Sequence, residues 1–363
     1  MAELYIRIPR IIENINRLGK YLSENNIQWS LITKVLCGNK AILKEILRDE
    51  VVQNLHSIGE SRLSSLKVIK AINPKLVTMY IKPPAIKYAA QVVKYADISL
   101  NTSFKTISAL NDEAINQNKI HKIMIMIELG ELREGIVREN IIDFYQKVFE
   151  LTNIRVIGIG TNLGCMYGIE PTYDKLIQLS LYERLLEAMF DRKIDLISGG
   201  SSITLPLIAK HKIPVAVNHF RIGEAIFLGD SPLNGKKFRN LFTDIFEFKA
   251  NIIELEKKEP IPDGNISDGN VGNTEELELE NDAPKSYRAI LDFGVLDVAV
   301  NNLIPKYKGV TFLGTTSDMT VYDLGKNKGK KIYRIGEKIT FYPDYMAVAR
   351  LMNSKFVTKT MVK

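Results

Sequence analysis

The sequence predicts an α/β protein: a (β/α)8 TIM-type barrel followed by a mostly β second domain. Three observations carry this. Between Ile11 and Gly229, eight apolar, β-branched runs alternate with amphipathic segments, the pattern of parallel strands returned by helices. No glycine fingerprint for a nucleotide accompanies them, which disfavours a doubly wound open sheet. After Gly229 the texture changes to strands joined by Gly, Asn and Pro turns.

The elements follow in order. "ELYIRI" at the N-terminus reads as a strand able to join the second domain. The eight barrel strands are "WSLITKV", "NLHSIG", "KLVTMYI", "DISLN", "KIMIMIEL", "RVIGIGTNL", "DLISGGSS" and "VNHFRIG". Helical patterns lie between them, among them "AILKEILRDE", "PPAIKYAAQVVKYA", "SFKTISALNDEAINQN" and "DKLIQLSLYERLLEAMF". Beyond the barrel, "IFEFKANIIELEK", "SYRAILDFGVLDVAV", "GVTFLGTTSDMTVYDLG" and "EKITFYPDY" read as strands. The expected domains are a barrel over 10–229 and a β domain over 230–363 that includes residues 1–9. A segment rich in Gly, Asn and acids, 259–285, reads as a long loop.

Composition narrows the function classes. The chain has 363 residues and a formal net charge of +7. Its basic residues are scattered over probable helix faces, without the aromatic-interleaved patches of a nucleic-acid surface. The two cysteines, Cys37 and Cys165, have neither disulfide nor metal-ligand spacing. No signal-peptide pattern and no bilayer-long apolar run is present. A soluble cytoplasmic protein that binds neither nucleic acid nor membrane is expected.

Barrel chemistry sits where strands end. The first barrel strand ends at Lys34, and the fifth runs into Glu128 and a loop carrying Arg133. The sixth ends at Asn162, the seventh in Ser198 to Ser202, and the eighth in His219 to Glu224. Lys34 is expected to be buried at this end. The "GGSS" and "IGE" turns suit a phosphate, because backbone N–H groups can approach it without interference from Cβ. A lysine opposite a phosphate cradle points to a Schiff base with pyridoxal 5'-phosphate. Each residue alone has a plainer explanation: a surface lysine, a tight turn, a structural ion pair. Their shared register at one end of a barrel is what singles them out.

With these residues placed, the chain resembles the alanine racemase family of pyridoxal phosphate enzymes, and more closely its alanine/ornithine racemase branch. "SLITKVLCGN", "IMIELGELREGIV", "GIGTNLGC", "HFRIGEAIFLG" and "TSDMTVYDL" match family segments in order over nearly the whole chain. The resemblance implies an isomerase that interconverts L- and D-amino acids by two-base transfer of the α-proton. Lys34 would hold the cofactor and serve as one base. Arg221 would face the pyridine nitrogen, where a guanidinium cannot act as an acid, leaving a weaker electron sink that suits removal and return of a proton. Asn162 would lie against the cofactor, and Ser201, Ser202, Gly223 and Glu224 would contact its phosphate. Arg133 would pair with the substrate carboxylate or the cofactor phenolate.

The family works as a homodimer with shared sites, so Ser317 and Asp318 would reach the partner's barrel, with Asp318 taking part in catalysis. Ornithine is the expected substrate, because Asp318, Asp297, Asp263 or Asp268 would hold its distal ammonium. Alanine, lysine or broad specificity are the alternatives. The chain departs from the family in three places. Asn162 stands where a histidine is usual, no tyrosine follows Lys34 closely, and no tyrosine occupies the "PIPDGNISDGNVGN" stretch that corresponds to the second base. Two further readings are a barrel-type decarboxylase, which usually has an acid where Arg221 stands, and a non-catalytic pyridoxal phosphate carrier, which lacks a second domain.

Overall fold

The computed structural model describes residues 1–264, 272–274, 284–328 and 331–362. Two compact units emerge, Arg10–Thr243 and Met1–Pro9 with Asp244–Lys363. The first strand, β1 (Glu3–Arg7), belongs to the second of these. A helix, Ile8–Glu24, then leads into the barrel. Its Ile11, Ile15, Leu18 and Leu22 recur every three or four residues, and all are buried.

The barrel is closed by eight parallel strands. They are β2 (Gln28–Ile32), β3 (Ser57–Glu60), β4 (Thr78–Tyr80), β5 (Ile98–Asn101), β6 (His121–Met126), β7 (Ile154–Gly160), β8 (Leu196–Ser201) and β9 (His219–Ile222). Each predicted run supplies one strand, and β2 closes on β9 with Leu31 opposite Ile222. Glycine makes room where large side chains meet inside. A Cβ on Gly160 would stand 3.0 Å from Met126 Sδ, and one on Gly200 would strike the Phe220 ring at 2.2 Å.

Two predicted elements differ locally. "AILKEILRDE" is two short helices, Lys40–Ile46 and Glu50–Gln53, because the Asp49 carboxylate accepts from Val51 N and starts a new helix. "SYRAILDFGVLDVAV" is a strand only to Leu291. At Gly294 a Cβ would lie 2.4 Å from Ser317 O and from Asp318 N, so the chain turns there around another loop.

A short hairpin, β10 (Asp230–Ser231) and β11 (Lys236–Lys237), ends the barrel unit. The other unit holds β12 (Phe246–Lys258), β13 (Asn273–Thr274), β14 (Ser286–Leu291), β15 (Leu303–Pro305), β16 (Thr311–Thr315), β17 (Thr320–Asp323), β18 (Lys338–Pro343) and β19 (Thr358–Val362). Among the described residues these form a mostly antiparallel sheet, in which β1 lies between β12 and β19. Phe248, Phe293 and Phe341 pack at 5.0–6.1 Å between ring centroids and form its core. The sequence reading missed one helix here, Tyr345–Asn353, capped by Asp344 accepting from Ala347 N. Most of the long loop, including Asp268, lies outside the described residues.

Candidate active site at the barrel mouth

Strand order around the barrel runs β6, β7, β8, β9, β2. Arg133, Asn162, Ser198–Ser202, Arg221–Glu224 and Lys34 therefore arise from five successive strands at their C-terminal ends. This contiguous arc is the candidate site.

Lys34 itself is exposed, not buried as expected. β2 stops at Ile32 and the chain turns into a short 3-10 segment, Lys34–Leu36, so the lysine sits on the rim. The turn is tightly fixed. Cys37 adopts a left-handed conformation (φ 50°), its N–H donates to Lys34 O, and Gly38 follows at φ 70°. A Cβ on Gly38 would come within 2.7 Å of Ser65 Oγ, so only glycine lets the turn lie against the helix Leu63–Ile72. Thr33, one residue before the lysine, donates its hydroxyl to Glu60 Oε1 at 3.1 Å. Glu60 is 1% exposed, and burial pushes its carboxyl up to about 7 despite the Thr33 and Ser61 hydrogen bonds.

Arg221 lies deep on β9. Its Nη1 donates to the Ser198 carbonyl and hydroxyl, and its Nη2 to Thr161 O at 2.6 Å. Burial lowers its pKa to about 10, with Glu134 opposing and Arg133 adding to the effect, so the group stays cationic at neutral pH. Two residues earlier, His219 is fully buried between Ser198 Oγ (2.8 Å) and Ser30 Oγ (2.9 Å). Sequence reading named these positions but gave His219 and Ser198 no role. The period-two alternation that places His219 and Arg221 on one face was the available signal.

Arg133 sits in a loop that folds back on its own strand, with Ile136 N donating to Met126 O and Glu128 N to Ile136 O. Its guanidinium is held by the neighbouring Glu134 carboxylate and also donates to Cys165 Sγ. The Cys165 loop hangs on one residue the sequence reading passed over. Glu131 accepts from the backbone N–H of Cys165, Met166, Tyr167 and Ile169. Burial opposes that charge, but the four donors outweigh it and hold Glu131 below the usual carboxylate range.

Ser202 accepts from Ala225 N at 3.1 Å, which ties the turn after β8 to the short helix Glu224–Leu228 after β9. Ser201, half-buried, caps the turn with Thr204. Gly223 begins the helix where a Cβ would stand 3.0 Å from Ile32 O. Asn162 Nδ2 is buried with no partner among the described residues. An amine on the rim, a deep guanidinium, a Gly–Ser cradle and an orphaned amide fit pyridoxal 5'-phosphate. Among the described residues no cluster of His, Cys, Asp or Glu is set to hold a metal.

Ser317 and Asp318 belong to the other unit, exposed in the loop between β16 and β17, where Ser317 Oγ donates to Asp318 Oδ1 at 3.1 Å. Asp297 is a structural group, accepting from Ser354 Oγ at 2.7 Å. Asp263 is exposed.

Residues 6–232 match the sequence profile "alanine racemase, N-terminal domain". The chain belongs to the alanine racemase family. It is an amino-acid racemase, like the curated relatives it resembles over nearly their full length. It is 31% identical to an ornithine racemase of Acetoanaerobium sticklandii over 361 residues, covering 99% of each chain. A lysine racemase of Thermotoga maritima is 28% identical, with 98% of this chain and 97% of that one covered. In fold it matches an alanine racemase from Bartonella henselae with covalently bound pyridoxal phosphate, at a TM-score of 0.73, 14% identity and coverage of 100% and 99%. No helix among the described residues is long and apolar enough to cross a membrane.

Proposed function

We propose that this racemase uses pyridoxal 5'-phosphate, prefers ornithine, and acts in the cytoplasm as a homodimer with shared sites. The observation that carries the reading is the arc of Lys34, Arg221, Gly223 and Ser201–Ser202 on adjacent strands, in a chain alike from end to end to an ornithine racemase. The cofactor, when bound, supplies an electron sink that acidifies the substrate α-C–H. Lys34 anchors it and takes or returns the proton at Cα. Arg221 donates a hydrogen bond to the ring nitrogen and keeps its own proton at neutral pH, which favours proton return over transamination. Ser201, Ser202 and the backbone N–H groups of Gly223 and Glu224 hold the phosphate. Asn162 offers its spare N–H, Arg133 turns to the substrate carboxylate, and Ser317 and Asp318 come from the partner, with Asp318 holding the distal ammonium. The similarity to a lysine racemase makes lysine the second candidate.

One assay decides substrate and class together: D-isomer formation by the purified protein from alanine, serine, lysine and ornithine. Ornithine should give the highest kcat/KM. Asp318→Asn should cost ornithine at least about tenfold more than alanine, since losing one partner of a desolvated charge pair is expensive. A better rate with alanine, or equal losses in the mutant, overturns the ornithine assignment. Mixing inactive Lys34→Ala with inactive Asp318→Ala subunits should restore part of the activity. No recovery, with subunit exchange verified, argues against shared sites.

A further inference from the structure

The groups behind Arg221 form one continuous hydrogen-bonded thread. Arg221 Nη1 meets Ser198 Oγ, Ser198 Oγ meets His219 Nδ1 at 2.8 Å, His219 Nε2 meets Ser30 Oγ at 2.9 Å, and Ser30 Oγ meets Ser57 Oγ at 2.7 Å. Every member is buried, with Ser30, Ser198 and His219 at 0% exposure. The thread also has a direction. A guanidinium only donates, so Ser198 Oγ must accept from it. The one hydroxyl proton of Ser198 then has a single acceptor to go to, His219 Nδ1. The imidazole proton is left on Nε2, where it donates to Ser30, whose own proton passes to Ser57. The opposite tautomer would aim an N–H at the oxygen that already faces the cation, and an imidazolium would bring a second positive charge to it. His56, whose ring lies 4.8 Å from His219, and Arg221 are the titratable groups facing this ring, and both disfavour its protonation.

We propose that His219 is a positioning residue for Arg221, acting through Ser198: a neutral imidazole protonated on Nε2 accepts the Ser198 hydroxyl and so holds that hydroxyl as an acceptor for the guanidinium. Ser198 O and Thr161 O fix the other two directions. Three of the guanidinium's five N–H bonds are thereby engaged, which locks its plane and leaves two for other partners, the cofactor's ring nitrogen among them. The part of the inference that concerns the ring nitrogen rests on the functional reading above; the tautomer does not.

Nitrogen-15 NMR of the histidine-labelled full-length protein reads the tautomer without turnover. The His219 ring should be neutral and Nε2-protonated from about pH 5.5 to 8, with no titration near the ordinary histidine value. An Nδ1-protonated ring, or a cationic one at neutral pH, overturns the proposal. In the holoenzyme, Ser198→Ala should lower kcat about tenfold to hundredfold with KM little changed, as loss of an outer hydrogen bond to a site group does. Ser198→Thr, which keeps the hydroxyl, should restore most of the rate, and Ser30→Ala should cost less than Ser198→Ala. Equal rates for Ser198→Ala and wild type overturn the positioning role, whereas full activity in Lys34→Ala would overturn the functional reading alone. If Ser198→Ala does not fold, the wild-type spectrum and the Ser198→Thr and Ser30→Ala pair still decide.

Discussion

On one side of the barrel interior, Met79, Leu100, Met124, Met126 and Leu196 pack into a single apolar cluster with Ile98 and Ile157. On the other, Ser30, Ser57, Ser198, His219 and Arg221 are joined by hydrogen bonds and are also buried. The apolar side is stabilised by non-directional burial and tolerates other shapes of similar volume. The polar side is stable only with every partner in place, because an unpaired buried donor or acceptor is costly. A barrel that must aim a cation needs the second kind of wall beneath it. The first kind serves where nothing has to be aimed.

Lys34→Ala sharpens the comparison most. Lys34 is exposed on the rim, so its loss should lower racemisation by about three orders of magnitude or more while the melting temperature of the cofactor-free protein changes little. Residual activity within tenfold of wild type would remove Lys34 from the chemistry. Next comes the apolar wall. Leu100→Ala leaves a cavity and should cost about 2–5 kcal/mol in chemical denaturation, with kcat per folded molecule nearly unchanged. If kcat falls as far as in Ser198→Ala, the two walls are not functionally distinct.

Glu60 tests the boundary between fold and site. Its carboxyl rises from 4.5 in the unfolded chain to about 7 when folded, so between those values the folded state holds more protons. Stability from this group is therefore present in full below about pH 4.5 and declines as pH rises through about 7. Glu60→Gln removes the dependence, and its stability relative to wild type should grow by up to about 3 kcal/mol between pH 5 and 8. Parallel curves for the two proteins would contradict the burial of that carboxyl. The smallest effect belongs to Asp49→Ala, outside both walls, which should cost about 1 kcal/mol through the lost cap on Val51 N and leave activity untouched.

What was legible and what was not follows from the range of the forces involved. The eight barrel strands and their order were readable because period and turn chemistry are local properties. The shared end of Lys34, Arg133, Asn162, Ser201 and Arg221 was readable too, since a parallel barrel puts every strand's C-terminus on one face. The helix Tyr345–Asn353 was missed, although Pro343 and the capping Asp344 mark its start, because "EKITFYPDY" was read as strand through Tyr345 and the short apolar pattern beyond it was assigned to no element. The burial of Lys34 was misjudged because exposure depends on where β2 stops, at Ile32, and on the Gly38–Ser65 approach that no local pattern encodes.

By itself, then, the sequence determined the barrel, the end at which chemistry collects and the residue types gathered there, because backbone periodicity and side-chain chemistry are written residue by residue. Only the tertiary structure decided that Cys165 engages Arg133, that Glu131 gathers the Cys165 loop, and that Ser198 and His219 stand behind Arg221. These pairings join residues up to a few dozen positions apart, through distances and directions that exist only once closure of the barrel has fixed the register between neighbouring strands.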